Sequence, residues 1–456
     1  METFLIKALQ LMMALAILVT IHEFGHYIFA RIFGVKVEKF YLFFNPWFSL
    51  FKYKPKKKKG DGENGRATWR DTEYGIGWLP FGGYVKIAGM IDESMDKEQM
   101  KQPTKSWEFR SKPAYQRLLI MTAGVIFNFI LAIVIYAGIV YTWGEQYVPF
   151  RNATDGMMYS ERAHRIGFAD GDIPLFADGE MLETLSGEDL IKMLTASKVD
   201  LLRNGTDTVS INIPKNFLFE ANSDEEKGIK FMTFRFPVIV AEPMSGSGAL
   251  KAGIEKGDRL LSVNNISTPV YDAFKTQLDA NAGKTVLVEY LRNGKKGTAN
   301  VKLDEAGKMG IMLAPDIEKY ETVTHNYTIF ESIPRGIELG ISTLTNYVSQ
   351  LKLIFTPQGA QSIGGFGTLG SIFPEQWSWL GFWSITAFFS VILAFMNILP
   401  IPALDGGHVL FLLYEMITRR QPSEKFLEYT QMIGMAFLLL LLVYANGNDI
   451  YRFFFK

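Results

Sequence analysis

The chain has 456 residues, 48% of them hydrophobic, a formal net charge of zero, five histidines and no cysteine. A neutral balance gives no global case for nucleic acid or another polyanion as partner. The absence of cysteine removes disulfides, thiolate catalysis and thiolate metal sites, so any metal centre would rest on histidines and carboxylates.

The first apolar segment, about Phe4 to Phe33, is long enough to cross a bilayer. It has no basic start and no small-residue cleavage site, and it carries Lys7 and Gln10, so it is expected to be a retained span and not a signal peptide. Within it runs ILVTIHEFGHYIF, an H-E-x-x-H motif. That spacing puts His22 and His26 on one helix face with Glu23 between them. Ionisable groups are expensive in lipid and mark function when they occur there. One zinc ion would account for all three, with two imidazole ligands and positions left for a third ligand and a water.

The loop that follows, Arg31 to Arg117, holds 18 Lys and Arg against 10 Asp and Glu, including the run Lys54 to Lys59. Beside a membrane such a run fits a topogenic or lipid-headgroup role better than a nucleic-acid patch. Tyr74 to Met90, YGIGWLPFGGYVKIAGM, alternates aromatic and aliphatic residues around Gly82 and Gly83 and reads as a β-hairpin. A hairpin can dip into a membrane if protein or an aqueous cavity covers its backbone, and its edge could add a strand to an unwound peptide. A small soluble β unit packed on the first helix is the other reading.

A second span is expected from about Tyr115 to Trp143, with Asn128 inside it. Asn128 and Gly124 are read first as helix-packing residues. The long region after it carries more acidic than basic residues and holds an internal repeat. Ser160–Glu180 and Ser247–Ser267 each run through an Ala, a short helical turn, a Gly, then Gly-Asp and a strand. Gly167 and Gly253 would permit the turn, and Asp172 and Asp258 would bond local N–H groups. These are two small β-rich modules. Thr328 to Phe355 has helical spacing of apolar residues with polar ones between, an amphipathic segment at the membrane and not a fifth span.

Span three, about Leu380 to Leu399, runs into NILPIPALDGGHVLF, and span four covers about Tyr429 to Tyr444. Positive loops stay inside, which makes the first and third loops cytoplasmic and puts the long middle region and both termini outside. Spans one and three then run the same way, so Asp405 can meet His22 and His26 at one depth as the third ligand. Pro400 and Pro402 break the helix there, and Gly406 and Gly407 allow close backbone approach. Asp405 could instead cap a following helix, and His408 is a rival ligand. Asn397 could hold a substrate carbonyl or stabilise an intermediate.

HEFGH at 22 to 26 and NILPIPALDGG at 397 to 407 resemble the two motifs of the site-2 protease family of intramembrane zinc metalloproteases (M50), in its bacterial regulator-of-sigma-E protease branch. The resemblance spans the whole chain. It implies a polytopic α-helical membrane protein with four transmembrane helices, a membrane-reentrant β-hairpin and two inserted extracytoplasmic PDZ-like β domains. The map it implies is span one at 1–33, cytoplasmic loop 34–114 with the hairpin at 74–90, span two at 115–143, PDZ-like domains at 144–232 and 233–318, amphipathic segment 325–356, span three at 379–411 and span four at 427–446. His22, His26 and Asp405 then look like ligands of one zinc ion, Glu23 like the catalytic carboxylate, Asn397 like the substrate-handling asparagine, and Gly82 and Gly83 like the substrate-facing tip. Two positions depart from the family pattern: Val125 replaces a proline in AGVIFN, and GDIPLFADG is an irregular PDZ loop, which puts peptide binding by the first module in doubt.

The implied activity is a metalloendopeptidase of the cell inner membrane, with PDZ modules and both termini periplasmic, acting in regulated intramembrane proteolysis and stress response. Its partners would be the lipid bilayer and pre-trimmed single-span proteins, such as an anti-sigma factor or remnant signal peptides, and not nucleic acid. A divalent-metal transporter, or a non-catalytic scaffold carrying PDZ modules, are the alternatives; the first would show metal flux without cleavage, and the second has no need of Glu23.

Overall fold

Among the described residues, four helices are long and apolar enough to cross a membrane: Glu2–Ile32, Ala114–Trp143, Trp379–Ile398 and Lys425–Tyr451. The protein is a polytopic helical membrane protein with β-sheets inserted between its helices. The computed structural model describes residues 2–57, 67–80, 82–90, 103–215, 217–218, 231–314, 319–351 and 364–455. The end of the lysine run, Phe81 at the expected hairpin tip and the end of the 325–356 segment lie outside them. The chain divides into two units, one made of Met1–Gly144 and Asn326–Lys456, the other of Glu145–His325.

In the first unit α1 (Glu2–Ile32) and α2 (Ala114–Trp143) pack side by side. They come close together at Gly25, where a Cβ would stand 2.6 Å from the Ala123 carbonyl oxygen. Between them in sequence lies a four-stranded sheet of β1 (Val37–Leu42), β2 (Phe44–Tyr53), β3 (Glu73–Leu79) and β4 (Tyr84–Ile87), in the order β2-β3-β1-β4. This corrects the hairpin expected over Tyr74 to Met90. β3 and β4 do not pair with each other; β1 lies between them, parallel to β3 and antiparallel to β4. The Gly82–Gly83 link therefore crosses two strand spacings, roughly 10 Å, which a two-residue hairpin turn does not do. β4 is an edge strand of this sheet.

Helix α7 (Ile329–Gln350) starts at a capping box, Thr328 with Glu331, and packs along α2. Its inward stripe is small, with Ser332, Gly336 and Gly340 buried one turn apart, while Ile329, Ile333, Ile337 and Ile341 face outward. Small residues at the helix contact and large apolar ones outside is the arrangement expected in lipid, where tails replace a core. Short α8 (Phe366–Ser371) precedes α9 (Trp379–Ile398). Span three does not continue to 411 as one helix. α9 ends at Ile398, turns cover 399–404, and a separate helix α10 runs over Asp405–Thr418. Pro400 and Pro402 fall in the break, where neither can donate a backbone hydrogen bond. α11 (Glu424–Phe455), about 48 Å long at 1.5 Å per residue, closes the unit.

The second unit begins and ends on one antiparallel pair, β5 (Glu145–Tyr147) with β18 (Val323–His325). Its first half holds β6 (Met157–Tyr159), α3 (Glu161–Arg165), β7 (Ile173–Ala177), β8 (Glu180–Met181), α4 (Gly187–Thr195), β9 (Lys198–Arg203), β10 (Asp207–Asn212) and β11 (Met232–Phe234). Its second holds β12 (Val238–Pro243), α5 (Gly248–Lys251), β13 (Arg259–Val263), β14 (Ile266–Ser267), α6 (Tyr271–Asp279), β15 (Thr285–Arg292), β16 (Lys295–Lys302) and β17 (Ile311–Leu313). Each half has its own buried apolar cluster, around Phe150, Met193 and Leu201 in one and Val238, Leu260 and Phe274 in the other. Strand β11 pairs with β6, so Met232–Phe234 is part of the first half.

The repeat is also a repeat of polar contacts. Asp172 accepts from Ala169 N at 2.8 Å, and Asp258 from Glu255 N at 2.8 Å. Each aspartate then pairs with an arginine from the end of a later strand, Arg203 at 2.6 Å and Arg292 at 2.7 Å. Those arginines also donate to the Gly167 and Gly253 carbonyls at 2.8 and 2.7 Å. The pairing raises both guanidinium pKa values further above their ordinary range.

Candidate metal centre

The helix of α1 turns His22 and His26 to one side, four residues apart. The break after α9 brings Asp405 to them as the first residue of α10. His22 Nε2 and His26 Nε2 lie 3.3 Å apart, and each is 3.2 Å from Asp405 Oδ2. A tetrahedral zinc ion with ligand bonds of 2.0–2.1 Å sets its ligand atoms about 3.3 Å apart. Asp405 Oδ2 is buried and takes no hydrogen bond, although two ring nitrogens face it. Three donor atoms converging on one point fit a cation, so these three residues could hold a divalent metal. His408 lines the same cavity but is not one of the clustered donors. Asp405 does not cap α10 either; the cap position is Leu404, and it makes no side-chain cap bond.

The opposite sides of the two rings rest on α2. His26 Nδ1 is 2.8 Å from the Ile120 carbonyl oxygen, and His22 Nδ1 is 3.2 Å from Asn128 Nδ2. Gly124 stands between these two contacts, where a Cβ would be 2.5 Å from His26 Nε2 and 2.7 Å from His22 Cε1. Residues 120, 124 and 128 form one stripe of α2 that backs the site.

A cavity of about 480 Å³ opens on the other side. Glu23 lines it beside the two histidines, and the Val85 backbone of β4 hydrogen bonds to its carboxylate. Gly82, Gly83, Asn397 and Asp405 line the same cavity, so the residues expected to bind metal, catalyse or hold substrate border one space. Asn128 does not border it and is fully buried. All four residues of the edge strand β4, Tyr84 to Ile87, also line this space.

Gln431 of α11 belongs to no motif, yet it stands at the site. It is buried, lines the cavity, and its Oε1 accepts from Ala403 N at 3.2 Å. Ala403 needs that support, because its φ of 77° is left-handed, a region that L residues other than glycine seldom occupy. A glutamine within an apolar span was a signal available in the sequence, since a buried amide in lipid must find a partner.

The sequence pattern of Peptidase family M50 matches residues 10–60 and 63–441. The regulator of sigma E protease of Haemophilus influenzae is 30% identical over 477 aligned residues, covering 96% of this chain and 97% of that protein. The regulator of sigma-E protease RseP of Salmonella typhimurium is 28% identical, covering 96% and 97%, and protease RseP of Yersinia pestis is 28% identical with the same coverage.

Proposed function

The chain belongs to peptidase family M50 and is a zinc-dependent intramembrane metalloprotease; on that premise we propose that His22, His26 and Asp405 hold one zinc ion and that Glu23 is the catalytic carboxylate. The observation that carries this is the triangle of donor atoms, 3.2 to 3.3 Å on each edge, beside a carboxylate in one cavity. When bound, zinc supplies Lewis acidity, polarising a carbonyl and making water a stronger acid. Glu23 takes a proton from the attacking water and passes it to the leaving amine. The Val85 N–H keeps that carboxylate turned toward the cavity. Asn397 holds a carbonyl of the substrate backbone.

A substrate helix must unwind to expose a scissile carbonyl. In this reading it does so by pairing with the edge strand β4, entering past Gly82 and Gly83 as a fifth strand. The sheet is the membrane-reentrant element. The substrates are single-span proteins already trimmed outside, an anti-sigma factor or remnant signal peptides; the relatives named as regulators of sigma E support that class. The two halves of Glu145–His325 are PDZ-like domains, joined after Phe234, that act as a size filter. The protein lies in the cell inner membrane with these modules and both termini periplasmic, which the excess of Lys and Arg in the first loop supports.

The test is zinc analysis with a cleavage assay on a single-span substrate, wild type against Glu23→Gln. Zinc in both and cleavage in the wild type alone is the expected result.

A further inference from the structure

We propose that Asn128 of α2 is a positioning residue for the metal centre: its side-chain oxygen accepts the Nδ1–H of His22 and so fixes the tautomer that presents Nε2 to zinc. The inference rests on the zinc reading given above and assigns the role to a residue outside the ligand set.

His26 supplies the pattern. Its Nδ1 faces the Ile120 carbonyl at 2.8 Å, and a carbonyl only accepts. Nδ1 therefore carries the hydrogen, and Nε2 keeps its lone pair for the cluster. A neutral imidazole holds one hydrogen, so His22 must make the same choice to ligate through Nε2. Its Nδ1–H then needs an acceptor in a buried site, and the polar group facing it is the Asn128 amide at 3.2 Å.

That amide presents Nδ2 to the ring, while Asn128 Oδ1 is buried and takes no hydrogen bond. With His22 Nδ1 protonated, two donors would face each other. A half-turn of the amide replaces Nδ2 by Oδ1, exchanging the Nδ2–Nδ1 contact for an Nδ1–H···Oδ1 hydrogen bond, and Oδ1 has no other partner to lose. The place of Asn128 is itself held. Ser390 of α9 donates to the Asn128 backbone oxygen at 2.7 Å, and Asn128 is fully buried. The residue is thus fixed at the junction of α2 and α9, behind His22 and away from the cavity. A simple helix-packing role would not require its amide to point at the ligand ring.

Groups that orient metal-bound histidines are worth about 10–100-fold in metal affinity. The experiment measures zinc affinity of the full-length protein in detergent by competition with a chelator of known strength, for wild type, Asn128→Leu and Asn128→Asp. Leu keeps the volume and removes the acceptor; Asp keeps an acceptor and cannot donate when ionised. The expected result is a 10–100-fold loss in Asn128→Leu and affinity within about threefold of wild type in Asn128→Asp, with equal thermal stability of the zinc-free proteins. Wild-type affinity in Asn128→Leu overturns the proposal. So does an equal loss in both variants, which would make Asn128 a donor or a packing residue. Should Asn128→Leu not fold, Asn128→Asp against wild type decides alone, a loss of more than tenfold overturning it. A wild-type protein that binds no zinc would instead overturn the reading of the triad, so the two failures are distinct.

Discussion

Gly124 lies against His26 so closely that a Cβ on it would stand 2.5 Å from Nε2, the nitrogen that points to Asp405. The glycine is therefore part of the metal centre's wall as well as a helix contact. Gly124→Ala must move either the ring or the helix, an overpacking that costs about 1–3 kcal/mol. Zinc content should fall, and unfolding of the zinc-free protein should shift to lower temperature. Full zinc occupancy with unchanged stability would show that α2 can yield at no cost.

Asp405→Ala should lower zinc occupancy together with activity, because it removes the one oxygen at 3.2 Å from both ring nitrogens. His408→Ala should leave occupancy largely intact, since His408 lies outside the cluster. Metal analysis of the two purified variants separates the outcomes; the reverse pattern would make His408 the ligand.

Ala403 and Gln431 set the turn that delivers Asp405. A left-handed alanine costs roughly 1–2 kcal/mol, so Ala403→Gly should keep zinc and activity with stability equal to wild type or slightly higher. Ala403→Val should lose both, since a β-branched residue fits that conformation far worse. Gln431→Leu removes the acceptor of the Ala403 N–H and should destabilise by about 1–3 kcal/mol, with weaker zinc retention. Thermal unfolding and metal content report each effect.

Glu145–His325 can be removed as a piece, because β5 and β18 pair its two ends, Glu145 against His325. A chain lacking these residues, closed by a short linker, should still bind zinc and cleave a short single-span substrate. If the modules act as the proposed size filter, it should also accept substrates with bulky ectodomains more readily than the intact protein does. A truncated protein that folds, binds zinc and still refuses them would leave the modules without a filtering role.

The residues of the centre were legible because each carries its chemistry in local spacing. His22 and His26 are one helical turn apart, and Asp405 sits in a run whose prolines and glycines announce a broken helix. The four spans were legible from length and composition. What stayed hidden depends on contacts between distant segments. Nothing local to Tyr74–Met90 tells that β1 inserts between its two strands; two glycines between apolar runs look the same in a hairpin and in a crossover. Arg203 and Arg292 close the repeated aspartate turns from 31 and 34 residues away. Asn128 faces a histidine 106 residues earlier, and a helix-packing asparagine has the same sequence signature. Pro400 and Pro402 marked the break, but the apolar residues after it left the length of α10, Asp405–Thr418, unread.

The central claim is that Glu23 moves protons at a zinc ion held by His22, His26 and Asp405. It is tested most directly by measuring zinc content and cleavage of a single-span substrate for wild type and Glu23→Gln in the same preparation. The account predicts one zinc ion per chain in both proteins and a loss of cleavage in the variant of at least about 10²-fold, with wild-type activity abolished by a chelator and restored by zinc. Cleavage by Glu23→Gln at a rate comparable to wild type, with zinc retained, would contradict it.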